Sequence, residues 1–347
     1  MKKSLIALAC ASAFAGSANA QSLTTYGIVD MGFVAESGGT AGSVDKITSG
    51  AQSGTRLGFK GTEDLGNKMK ALFVLETGIA ADTGGFNQNN GFARQSFIGL
   101  QNDAGTVTLG RQYTPFFLAL NAVADPFASG LAGNAQNLIP SSGIRMNNAV
   151  KYASPTFSGV SAEVAYGFGE NAAGNDRTGR NVGGSIGYTD GTLNVRLAYY
   201  RANESPSLET RITTLNDSST MLAANYNFQI AKVFAAYSDN DQQITPITPA
   251  GSIAKGKSRD FLIGVSVPFG NHTFIASYIN KDGRSASNYD ATQLGLGYTY
   301  ALSKRTNLYA AWATIDNKRG GVLYKVGNNS ELGSGDRAVN LGVRHTF

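Results

Sequence analysis

The chain closes on Val339-Asn340-Leu341-Gly342-Val343-Arg344-His345-Thr346-Phe347. Val339, Leu341, Val343 and Phe347 are apolar, while Asn340, Arg344 and Thr346 are polar. A period of two is that of a strand with one face turned to an apolar medium. The ends of soluble domains usually fray and are polar. A strand that keeps an apolar face to its last residue needs neighbours that hold its end.

The other end carries Lys2 and Lys3, an apolar run from Leu5 to Ala15, and Ala18-Asn19-Ala20. This is the three-part layout of a secretory signal peptide, so residues 1–20 are expected to be cleaved after Ala20 and residues 21–347 to form one domain. A buried N-terminal helix would need a polar face, and there is none. Too few apolar residues precede Cys10 for a lipoprotein attachment site. Cleavage removes the only cysteine and two lysines, leaving 27 basic against 24 acidic residues. That excludes an internal disulfide, and nothing resembles a nucleic-acid patch. No later segment approaches the roughly 18 apolar residues of a membrane helix. In a membrane the chain must therefore form a closed barrel, because only helices and closed barrels satisfy every backbone group there.

Dyad segments recur throughout. Leu193, Val195, Leu197 and Tyr199 form one apolar face, Phe261, Ile263, Val265, Val267 and Phe269 another. Thr292, Leu294, Leu296, Tyr298 and Tyr300 form a third, Leu222, Ala224, Tyr226 and Phe228 a fourth. Short turns at 102–105, 189–191 and 268–271 alternate with long Gly/Ser/Asn-rich loops near 36–53, 81–91, 112–144, 169–179, 204–219, 240–258, 282–290 and 317–334. Eight long loops imply 16 strands, each able to supply the roughly 9–11 residues that cross a bilayer. Even strand number with turns at one end and loops at the other describes an outer-membrane barrel with a water-filled lumen. Tyr26, Tyr166, Tyr188, Tyr237, Tyr298 and Phe347, near strand ends, suit its interfacial girdles.

The third long loop differs from the rest. Its run Phe116-Phe117-Leu118-Ala119-Leu120 would not face solvent on a cell surface, so it is expected to fold into the barrel and narrow it. Strand parity then sorts the charges. With Leu57 and Phe59 outside, Arg56 and Lys60 face the lumen. With Ala71, Phe73 and Leu75 outside, Lys70 and Glu76 face it. With Val150 and Tyr152 outside, Arg145 and Lys151 do. Arg94 faces in if Phe97 is outside, and out if Ile98 and Leu100 are. A cationic wall over a low-dielectric shell concentrates anions.

These residues resemble a known family, the 16-stranded trimeric general porins of Gram-negative outer membranes, in their β-proteobacterial branch. The matching stretches are 24–33, 53–78, 93–116, 143–160 and 341–347, spread over the whole mature chain. The resemblance implies an all-β fold, a 16-stranded antiparallel transmembrane β-barrel with the long third extracellular loop (112–144) folded into the lumen. It implies an arginine wall at Arg56, Arg94 and Arg145, and it favours the register with Phe97 outside. Glu76 matches a lumen-facing glutamate, and Asp125, followed by Pro126 and Phe127, falls where the constriction loop carries an acid. Phe347 resembles the signal read by the outer-membrane assembly machinery. A homotrimer embedded in outer-membrane lipid and lipopolysaccharide is implied as well. The chain departs from the family at Val74, where relatives often carry a polar residue, and in having only one acid in the loop, which favours anion preference.

The expected function is passive diffusion of small hydrophilic solutes and inorganic anions, with no cofactor, no metal and no catalysis. A substrate-specific channel or a surface adhesin is the alternative, but lumen-parity aromatics such as Tyr26 and Tyr200 are too scattered for a sugar-stacking track. Gly183-Gly184-Ser185-Ile186-Gly187 fits the nucleophile-elbow pattern, which requires a strand-to-helix turn and Asp and His partners. It lies in a strand-like stretch, and the only histidines are His272 and His345. Two histidines without a mature cysteine also make a transition-metal site improbable.

Overall fold

The computed structural model describes residues 22–39, 42–87, 91–139, 143–170, 179–203, 216–244, 247–248, 251–252, 255–284, 290–318, 324–326 and 335–347. The expected signal peptide, 1–20, lies outside them. The strands are β1 (Ser22–Gly39), β2 in two pieces (Gly42–Ser49 and Arg56–Gly66), β3 (Met69–Ala80), β4 (Gln95–Asn102), β5 (Gly105–Tyr113) and β6 (Arg145–Ala153). There follow β7 (Val160–Gly167), β8 (Asn181–Thr189), β9 (Leu193–Asn203), β10 (Asn216–Asn227) and β11 (Lys232–Ile244). The last are β12 (Lys255–Phe269), β13 (His272–Gly283), β14 (Ala291–Ala301), β15 (Thr306–Asn317) and β16 (Arg337–Thr346).

Each strand pairs antiparallel with its sequence neighbours, and β16 closes the ring on β1 from Ile28↔Thr346 to Ser37↔Arg337. The terminal residue is held as the opening alternation requires. Gly27 N–H donates to Phe347 O and Phe347 N–H to Gly27 O, both at 3.1 Å. The apolar faces read from the sequence point outward: Leu197, Leu222, Ile263, Leu296 and Leu341 are all exposed, as a wall facing lipid must be.

Three expectations change. The stretch 36–53 is not a long loop but mostly a tall hairpin, in which β1 runs to Gly39 and the first piece of β2 pairs with it from Glu36↔Val44 to Met31↔Ser49. The break in β2 at 50–55 is where the chain leaves the wall. In β4, Ile98 and Leu100 are exposed, and Phe97 lines an inner cavity with Leu118 of the long loop. The register favoured by the resemblance is therefore reversed there. Tyr26 does not belong to an outer girdle: its hydroxyl donates inward to Glu76 Oε2 at 3.1 Å.

The lumen is not lined by water alone. After β5 the chain enters a short helix, α1 (Pro115–Ala119), started by proline at its first turn and by Thr114 Oγ1, which accepts from Phe117 N–H at 3.1 Å. A π turn (Leu120–Ala124) and a 3-10 turn (Ala135–Asn137) continue the segment. Phe116, Leu120, Val123, Leu131, Leu138 and Ile139 are fully buried, in one core with Met146, Tyr200, Met221, Leu262, Ile279 and Ile315 of the inner wall. Burying a side chain of this size stabilises by about 1.5–3 kcal/mol, so the loop folds onto one side of the wall and leaves the other side open.

Candidate functional site

The open side is the wall made by β1 to β6. Glu76 of β3 lies at its centre, buried. Arg94 Nε donates to Glu76 Oε1 at 2.8 Å, and Arg56 Nη1 approaches the same oxygen at 4.0 Å. Arg94 Nη2 donates to Tyr113 Oη at 2.8 Å, and Arg145 Nη2 to the same hydroxyl at 3.2 Å. The Arg145 guanidinium also lies 4.8 Å from the Tyr113 ring centroid, a favourable cation–π placement. That ring stacks on Phe117 of the loop at 5.1 Å, which joins the arginine wall to the base of the loop.

Arg94 reaches this cluster despite the reversed register of β4. Gln95 is the ladder partner of Glu76, yet Arg94 N–H also donates to Glu76 O, at 3.0 Å. Two residues thus oppose one, as in a β-bulge, and the strict alternation lapses at Arg94. Its side chain falls beside Glu76 for this reason rather than by parity.

The remaining lumen charges are spread out. Lys60 Nζ lies 5.3 Å from the Tyr26 ring centroid. Lys151 Nζ is 3.7 Å from Glu163 Oε2. Lys70 is exposed at the short-turn end of β3, paired across the ladder with Asp64, and does not join the cluster. Tyr113 is a member of the site that strand parity did not single out, whereas Tyr26 lies on the lumen side that its parity gave it. Two further inner-face arginines went unassigned: Arg344 beside Asp30 in the ladder, and Arg196, which donates to Ser185 and Ser161 hydroxyls at 3.2 and 3.0 Å. The parity of "VNLGVRHTF" and of 193–199 could have found both. Ser185 is thereby an acceptor within strand β8, which is not the strand-to-helix turn that the nucleophile-elbow pattern requires.

The opposite bank is the loop, and the acid it was expected to present is turned inward. Asp125 is 2% exposed, its Oδ1 accepting from Phe127 N–H at 2.9 Å and its Oδ2 from Ser129 at 2.8 Å and Ala135 at 2.9 Å. These bonds hold Ala128, Ser129 and Leu131 in left-handed backbone (φ 50, 59 and 57°), which costs roughly 1–2 kcal/mol per residue. The loop from 114 to 139 therefore shows the lumen no charged side chain. Pro126 and Phe127 seat on strands instead. A Cβ at Gly297 would lie 2.6 Å from the Phe127 ring and one at Gly264 2.7 Å from Pro126 Cγ, so both inner positions must stay bare. Gln293 Nε2 donates to Gly133 O (2.9 Å), and Asn225 Nδ2 to Val123 O (2.9 Å).

Burial pushes the Asp125 carboxyl up to about 6, against the lowering effect of the three N–H donors. A raised carboxyl pKa means that the folded loop binds this proton more tightly than the unfolded chain does. The stabilisation is complete below the ordinary value of 3.8 and is lost as pH rises through about 6. Asp125→Asn, which cannot ionise, is expected to flatten the fall in thermal stability across that window. Equal pH slopes for variant and parent would assign the fall to another group.

The comparisons with known proteins agree with this geometry. The Gram-negative porin family matches residues 7–320. Outer membrane porin protein 32 of Delftia acidovorans is 34% identical, over all of both chains. The solved anion-selective porin from Comamonas acidovorans is 30% identical, with a TM-score of 0.80 over 94% of this chain and all of that one. OmpT, an outer membrane protein of Vibrio cholerae solved in a trimer form, shares the fold at a TM-score of 0.69 and 15% identity, over 95% of this chain.

Proposed function

The chain belongs to the Gram-negative porin family, and from that premise we propose an outer-membrane diffusion channel that passes small hydrophilic solutes and prefers anions. One observation carries the preference: three arginines gather around one buried carboxylate, Arg94 and Arg56 on Glu76 itself and Arg145 on Tyr113 beside them, and the loop across from them adds no charge to the lumen. The excess positive field in a narrow, low-dielectric passage raises the local anion concentration. The anion selectivity in the name of the Comamonas acidovorans porin supports the same sign. The wall acts by position and field alone, so no catalytic step and no cofactor belong to this reading. Residues 1–20 act as the export signal, and Phe347 as the signal for the assembly machinery. The channel works as a homotrimer in lipid and lipopolysaccharide, in line with the trimer form of the Vibrio protein.

The test is the reversal potential of the purified protein in a planar bilayer across a KCl gradient. Stepwise conductance with an anion-selective potential is expected. A cation-selective potential would overturn the preference but keep the channel. No conductance from inserted barrels would overturn the channel itself.

A further inference from the structure

On the reading of the lumen as the conducting path, we propose that Asp30 is the positioning residue of the constriction, a buried post that sets both of its banks. Asp30 lies on the inner face of β1, wholly buried. Its Oδ2 accepts from the Gln52 and Ser53 N–H groups, at 2.8 and 2.5 Å, and its Oδ1 from the Tyr309 hydroxyl at 2.7 Å. Its main chain joins in. Asp30 O accepts from Gly50 N–H (2.8 Å) and from Thr55 Oγ1 (3.0 Å), and Asp30 N–H lies 3.1 Å from that Thr55 oxygen. One residue thus holds the start, middle and end of the segment 50–55, where β2 leaves the barrel wall.

That segment touches both sides of the passage. Ala51 O accepts from Leu131 N–H of the long loop at 2.6 Å, with both residues buried. Gly54 packs against the Arg94 guanidinium, where a Cβ would lie 2.8 Å from Nη1, and Arg56 begins the strand immediately after. The far side of the post is equally defined. Tyr309 reaches Asp30 only because Gly32 and Gly342 are bare: a Cβ on either would lie 2.4 or 2.2 Å from its hydroxyl oxygen. Asn307 Nδ2 adds a bond to Gln52 Oε1 at 2.8 Å. Neutralising the carboxylate replaces charge-assisted bonds to the Gln52 and Ser53 N–H groups and the Tyr309 hydroxyl with weaker ones and frees the loop tip and the arginines to drift apart. Geometry held to about half an ångström is what a functional constellation of this kind requires.

The experiment compares the parent channel with Asp30→Asn and Tyr309→Phe in planar bilayers. Both variants are expected to show severalfold greater open-channel current noise and a fall of about twofold in the anion-to-cation permeability ratio, as the arginine field moves off the path. The pair Ala51→Cys with Leu131→Cys, added to Asp30→Asn and oxidised, is expected to restore quiet current, and reduction to undo it. Parental noise and ratio in both single variants would overturn the proposal. So would altered channels that the cross-link leaves unrepaired, since the damage would then lie in the barrel at large. If Asp30→Asn does not fold, Tyr309→Phe, which loses a single hydroxyl, carries the same readouts. A parent that conducts without anion preference refutes the preference but leaves the noise comparison valid. A parent that does not conduct overturns both readings.

Discussion

Replacing Arg56, Arg94 and Arg145 together by glutamine is expected to move the channel's selectivity toward cations. A unit charge at about 6 Å from an ion in a water-like medium is worth about 0.7 kcal/mol, so three supply about 2 kcal/mol before screening. Salt near 0.1 M shortens their reach to roughly 10 Å, which leaves about a tenfold drop in the anion-to-cation permeability ratio. The sign follows from what remains. Glu76 stays in the wall with only the Tyr26 hydroxyl bonded to it, and the loop offers no cation in return. Reversal potentials at low and high KCl check both the drop and its screening. An unchanged ratio would mean that the cluster lies off the ion path. Single substitutions are expected not to add up to the triple effect, because Arg56 and Arg94 share Glu76 while Arg94 and Arg145 share Tyr113.

Phe127→Ala is expected to open the pore. The ring is 4% exposed and fills the space over the bare inner positions Gly295 and Gly297. Deleting such a ring typically costs about 3–5 kcal/mol, and here the cost falls on the docking of the loop tip rather than on the barrel, whose strands are paired independently of it. Single-channel conductance should rise, and liposome swelling should admit larger neutral sugars, while the folded barrel persists in detergent. Unchanged conductance would show that the tip is held without the ring, through Gln293, Asn225 and the contact of Leu131 with Ala51.

The barrel was open to sequence reading because its cause is local. Alternation along each strand depends only on which neighbours face lipid, and strands such as 193–199 and 261–269 keep their period without interruption. Charges inside regular ladders, Lys60, Lys151 and Glu76, followed by the same rule. The rule failed where the backbone departs from a regular ladder. The β4 register could not be chosen from Phe97 and Ile98, since both are apolar, and one packs against the loop while the other faces lipid. The tall hairpin at 36–53 was hidden because Gly/Ser-rich composition signals a turn without saying how long its arms are. The docking side of the loop had a trace in the sequence that parity alone does not interpret. Several inner positions on β10 to β14 are small or apolar, among them Gly264, Gly295, Gly297, Met221 and Leu262, where a wall meeting only water would be polar.

What the sequence by itself determined is therefore the closed barrel, its outward face, its strand number and the residue types that make a cationic wall. Only the tertiary structure decided that Arg94 enters that wall through a bulge, that Asp125 staples the loop instead of facing ions, and that Asp30 holds segment 50–55 against the loop tip. Periodicity reports on a solvent that every residue of a face shares. These contacts join atoms far apart in the chain, with energies that depend on distances of a few tenths of an ångström, and no local pattern carries that information.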